Sequence, residues 1–229
     1  MHLLSPVIVA SALLASPATA EPPTPRPTQT LAPPASAAPT YQTIDLAIAN
    51  GDITDVRRHL ASNPQCLNNQ LGNHSRSPLE LAVLRNKTEI VLLLIQSGAR
   101  TDCVDASKRT PLHLAVERNN PVVAAALLKA GAKPNERDKD GWTPLHHAAA
   151  KNQIQTATVL LAGGANPMTL SALGGTPLHE AAVSGSAEIA RLFLAYHVDP
   201  TIQSHDHQTA LDIAKKAKNQ PVIDVLSGL

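Results

Sequence analysis

Thr110-Pro111-Leu112-His113 returns as Thr143-Pro144-Leu145-His146 and again as Thr176-Pro177-Leu178-His179, each copy 33 residues after the last. One step back stands Ser77-Pro78-Leu79-Glu80, and one step forward stands Thr209-Ala210-Leu211-Asp212. A degenerate copy begins near Gln42, with two extra residues in the loop that follows it. Repetition at one fixed period marks a stack of like supersecondary units. Six units follow in phase, at about 41–76, 77–109, 110–142, 143–175, 176–208 and 209–229.

The physics of one unit is legible. Thr110 can cap a helix, and Pro111 suits the first helical position, where its missing N–H costs nothing. Leu112, Ala115 and Val116 line one face of a helix of about two turns. Asn119 ends it, and Gly51, Asn86, Asn152 and Gly185 stand at the same place in other units. Gly and Asn tolerate the left-handed backbone that a sharp helix–helix turn requires. A second helix then carries Val122, Val123, Leu127 and Leu128 as its buried stripe. Gly131-Ala132 closes it, as Gly98-Ala99 and Gly164-Ala165 do elsewhere, with His197 in the fifth unit where Gly is expected. Asp140-Gly141 is a hairpin tip.

A helix pair this short cannot bury its own apolar face, whereas stacked neighbours can. The pattern resembles the ankyrin repeat over residues 41–229. The resemblance implies an elongated all-α solenoid of six stacked helix-turn-helix units with short β-hairpin loops. It also implies that His113, His146 and His179, each with Thr110, Thr143 or Thr176, are structural, their imidazoles tying adjacent turns together. The end units depart from the motif, as capping units do: the first lacks it, and the last carries Lys215, Lys216 and Lys218.

Outside the repeats, residues 1–20 read as a secretion signal: an apolar run from Leu3 to Ala15, then Ala18-Thr19-Ala20 for cleavage after Ala20. The run contains Pro6 and is too short to span a bilayer, so no membrane span is expected after cleavage. Residues 21–40, rich in Pro, Ala and Thr, form a tether with too little apolar surface to fold. The net charge of +1 and an aromatic content of 2% argue against nucleic acid as a partner.

Catalytic signatures are missing. The chain has no Gly-x-Ser-x-Gly elbow, no phosphate-cradling Gly-rich loop and no His-Glu-x-x-His. No cofactor is expected. His205-Asp206-His207 places two imidazoles around a carboxylate, but no further ligands stand at zinc spacing, so a solvated loop is expected rather than a metal site. Cys66 and Cys103 are the only cysteines. In an oxidising compartment a disulfide between them is one alternative, closing a loop of nearly forty residues; against it, equivalent positions in neighbouring ankyrin units lie farther apart than the usual Cα separation of a disulfide, and two free thiols are the other alternative.

The resemblance places binding on the hairpin tips and the exposed side of the first helices, which together form a concave face. The tips carry Lys108 and Arg109, then Lys139, Asp140 and Trp142, then Leu173, then His205, Asp206 and His207. The helix face carries Arg85, Glu117, Arg118, Ala150 and Lys151. Trp142, the only Trp, stands where it should face solvent among basic neighbours, the composition of a binding hot spot; the alternative is an indole folded back onto the next hairpin. The expected function is a non-enzymatic scaffold, a monomer in the periplasm or outside the cell, that holds a protein partner. The alternative is a periplasmic metal or small-cofactor binder using the His-rich turns.

Overall fold

The first helix begins at a proline behind a Ser or Thr cap in four of the six units, and this fixes the frame of the molecule. The computed structural model describes residues 38–69 and 76–228. The signal segment and all but the last three residues of the tether lie outside the described residues. Among the described residues, twelve α-helices run in pairs: α1 Ile44–Asn50, α2 Ile53–Ser62, α3 Pro78–Leu84, α4 Thr88–Gln96, α5 Pro111–Glu117, α6 Pro121–Lys129, α7 Pro144–Ala150, α8 Ile154–Ala162, α9 Pro177–Ser184, α10 Ala187–Ala195, α11 Ala210–Ala217 and α12 Gln220–Ser227. A short 3₁₀ turn, Pro64–Leu67, follows α2.

Each first helix packs on the next first helix and on its own partner, and the second helices stack likewise, so two layers run side by side. The register explains the closeness. Ala47, Ala82, Ala115, Ala148, Ala181 and Ala214 occupy the same place in successive first helices, and all are fully buried. A methyl group is the largest side chain that lets two such short helices approach along this row. Leu79, Leu112, Leu145 and Leu178 fill the space between the layers; burying each contributes about 2 kcal/mol. In α6 the buried residues are Val123, Ala124 and Leu127. Val122, expected in that stripe, is 58% exposed, because a residue one place earlier points about 100° away around the helix.

The turns follow the sequence with one correction. Gly51, Asn86, Asn119 and Asn152 take positive φ as the helix–helix turn demands, and His197 takes it (φ 57) where Gly98, Gly131 and Gly164 do in other units. Gly185 does not: its backbone is extended, with φ −77 and ψ 172. Helix α9 runs on to Ser184, and a Cβ on Gly185 would lie 2.4 Å from the Ala181 carbonyl oxygen. Glycine is needed there for close approach, not for handedness.

The hairpins are tight turns rather than paired strands. Asp138 N–H donates to the Trp142 carbonyl (2.9 Å), and Ser171 N–H to that of Gly175 (2.8 Å). Among the described residues, extended pairing is limited to an isolated bridge at Arg76. Successive tips are tied sideways, Lys139 N–H to the Ser107 carbonyl (3.0 Å) and His205 N–H to that of Leu173 (3.0 Å).

The entry to the stack is clamped by a buried carboxylate. Asp55, fully buried, accepts the backbone N–H groups of Thr40 and Tyr41, while His59 Nε2 meets the Tyr41 carbonyl at 3.0 Å. Burial would raise the Asp55 pKa, but these backbone donors and Arg58 outweigh it and hold the carboxyl low.

Candidate functional site

The hairpin that carries Trp142 is built by one side chain, Asp138. Its Oδ1 accepts the N–H groups of Asp140 (3.0 Å) and Trp142 (2.9 Å), a local turn that only a short acceptor can close. Asp105, one unit earlier, does the same for Ser107 and Arg109. The second oxygen of each carboxylate turns toward the first helices. Asp105 Oδ2 takes the Arg109 guanidinium at 2.9 and 2.8 Å, and Asp138 Oδ2 meets His147 Nε2 at 2.7 Å. Burial pushes the Asp138 pKa up, but the bonds from His147 and from the Trp142 and Asp140 backbones prevail and hold it below the usual range.

Each motif histidine ties its own first helix to the hairpin that closes the same unit. His113 Nδ1 accepts the Thr110 N–H at 3.2 Å, so the proton lies on Nε2, which donates to the Trp142 carbonyl at 3.1 Å. His146 joins Thr143 N–H (3.2 Å) to the Gly175 carbonyl (3.1 Å). His179 joins Thr176 N–H (3.1 Å) to the Gln208 carbonyl (3.2 Å). Burial is the main cause that lowers all three pKa values, those of His113 and His146 to about 4. These imidazoles are neutral rods, each capping its own helix and holding the next hairpin. In units two and six the same position holds Glu80 and Asp212, which cap Ser77 and Thr209 locally.

The expected exposure of two residues is corrected by this geometry. Trp142 does not stand free in solvent. With both ends of its backbone held, its half-buried indole turns onto α7, stacked on His146 (6.1 Å, 28°) and edge-on to His147 (4.9 Å, 62°). Large aromatic area is better satisfied against two imidazoles than in water. Arg109 is half-buried too, neutralised by Asp105 and by Glu117, whose Oε2 lies 2.7 Å away. Lys108, Arg118, Lys139, Asp140 and Lys151 are exposed and make no ion pair among the described residues.

His205, Asp206 and His207 are all exposed, and among the described residues they are not part of a gathered group of three ligand atoms. A different trio comes together instead, His113, Asp138 and His147, with ligand atoms within 4.8 Å of one another. His113 could join a metal only by breaking a hydrogen bond. Its Nδ1 lone pair is taken by Thr110, and its Nε2 carries a proton bound to Trp142. The Asp138–His147 pair, nine residues apart, was the feature sequence reasoning missed. The signal was present, because Asp138 follows Asp105 at the repeat period. Both cysteines are free thiols. Cys66 Sγ reaches the His59 carbonyl at 3.8 Å within its own unit, and Cys103 lies beside Ser77 and Glu80. Burial raises the pKa of both.

Units in register, with histidine rods in units three to five tying a first helix to the hairpin that follows it, match a family model described as ankyrin repeats in three copies. The matches cover residues 44–138, 79–171 and 126–204. The chain is an ankyrin-repeat protein. No curated protein matches it closely enough to be reported as a relative. Ankyrin repeats are generally protein–protein interaction modules. Among the described residues of this ankyrin-repeat chain, no helix is long and apolar enough to cross a membrane.

Proposed function

We propose that this chain is a non-catalytic, monomeric scaffold acting in the periplasm or outside the cell, where its tips and first helices hold a protein partner. The observation that carries the reading is the division of labour along the repeat. The apolar rows and the motif histidines are consumed by stacking, while Lys108, Arg118, Lys139 and Lys151 remain exposed on the surface that stacking leaves unused. A rigid, preorganised face lowers the entropic cost of association. The buried histidines are committed to backbone partners and are poor candidates for acid–base chemistry. Export rests on the signal-like residues 1–20.

Affinity capture from a periplasmic extract, with a chain altered at Arg118 and Lys151 as control, tests the reading. A protein captured in stoichiometric amount and lost with the altered face supports it. Retention of only an ion or small molecule would favour the rival, an ion binder, for which Asp138–His147 is the geometric opening. Cell fractionation with an antibody to the full chain tests the compartment, and a signal confined to the cytoplasm would refute export.

A further inference from the structure

The central units present a one-sided distribution of charge on an otherwise nearly neutral chain. Three acids near this face are already used: Asp105 and Glu117 hold Arg109, and Asp138 holds His147. That leaves Lys108, Lys139, Arg118 and Lys151, all exposed, against one exposed carboxylate on the same tips, Asp140, and a second, Asp206, on the tip beyond Leu173, neither of which forms an ion pair among the described residues. The layer of second helices shows no such bias. It mixes signs, with Glu89 on α4, Lys129 on α6, and Glu188 and Arg191 on α10.

The cations adjoin apolar surface. Lys139 sits on a tip bonded to the Ser107–Lys108 tip. On its other side, a Cβ at Gly141 would lie 2.5 Å from the Ala172 amide nitrogen, so the tip carrying Leu173 abuts the tip carrying Lys139. Leu173 is 76% exposed. On the helix side, Ser184 Oγ donates to the Ala150 carbonyl at 2.7 Å. That bond sets the end of α9, with Val183 54% exposed, against the end of α7 and Lys151.

We propose that this face takes an acidic segment of a partner protein that also carries an apolar side chain. The proposal rests on the scaffold reading above and specifies its ligand. The carboxylates of the segment meet Lys108, Arg118, Lys139 and Lys151, and its apolar residue covers Leu173 and Val183. Charge complementarity of this kind steers association and selects the partner, while the desolvated apolar contact supplies the anchor. A nucleic acid suits the face less well, because base stacking needs open aromatic faces and the indole of Trp142 is turned against His146 and His147.

Selection of a displayed library of random dodecapeptides on the full chain tests this, followed by fluorescence anisotropy with one enriched peptide. Enriched peptides rich in Asp and Glu around an aliphatic or aromatic residue are expected. Their affinity should fall by at least about tenfold in a Lys139→Glu/Lys151→Glu chain, and also on raising NaCl from about 50 to about 300 mM. Leu173→Glu should weaken binding about tenfold through the anchor. All three positions are exposed, so an unchanged thermal melt verifies each variant. Neutral or basic peptides, or an affinity indifferent to the charge reversal, would overturn the acidic partner while leaving the scaffold reading intact. No enrichment at all would overturn both. Heparin bound as tightly as the peptides, and indifferent to Leu173→Glu, would show a general polyanion surface and also overturn the proposal.

Discussion

Replacing His146 with alanine should cost the stack more than any exposed substitution on the same helix. The imidazole is fully buried and links Thr143 N–H to the Gly175 carbonyl, in the hairpin that leads from unit four into unit five. Alanine leaves both groups unpaired inside the protein, at about 1–3 kcal/mol each. The cavity and the lost stacking under Trp142 add about 1 kcal/mol. The expected total is about 3–7 kcal/mol, a large part of the stability of a domain this size. A His146→Gln chain keeps an acceptor for the Thr143 N–H but cannot reach Gly175, so it should lose about 1–2 kcal/mol less. Urea unfolding followed by far-UV circular dichroism measures both. The emission of Trp142, the sole Trp and in contact with His146, reports the same site locally. A loss below about 1 kcal/mol for alanine, or a glutamine variant as damaged as alanine, would refute the rod-like role of this histidine.

Three further outcomes are expected. Because His113 and His146 titrate near 4 in the fold and near 6.5 when unfolded, the unfolded chain binds more protons between those values. The melting temperature should therefore fall as pH drops from about 6.5 to about 4, and a chain lacking both imidazoles should show a flatter profile in calorimetry. Gly141→Ala should destabilise more than Gly98→Ala, although both glycines have positive φ. A Cβ at Gly98 meets open space, whereas at Gly141 it meets Ala172 backbone; about 1 kcal/mol is expected for the former and at least about 2 for the latter by chemical denaturation. Asp55→Ala removes the acceptor for Thr40 and Tyr41 and should cost about 2 kcal/mol; limited proteolysis should then cut near residue 40 faster than in the parent chain.

The 33-residue period, the capping Ser and Thr residues, the prolines at helix starts and the buried Leu and Ala rows were all readable along the chain. These are local or periodic properties, and a periodic stack repeats the same local solution. The sequence even named the right residue at Gly185, though for handedness rather than for its contact with the Ala181 carbonyl. What no single unit could reveal was how side chains divide between stacking and solvent across units. Trp142 and Arg109 occupy the same tip position one period apart and looked like free binding residues. Their fate was decided by neighbours four to eight residues along the chain that the fold turns toward them: His146 and His147 for the indole, Asp105 and Glu117 for the guanidinium. Val122 and the Asp138–His147 pair teach the same lesson. Periodicity determines which residues recur at a place, but pairing and exposure depend on distances of a few ångströms between segments, which only the folded stack sets.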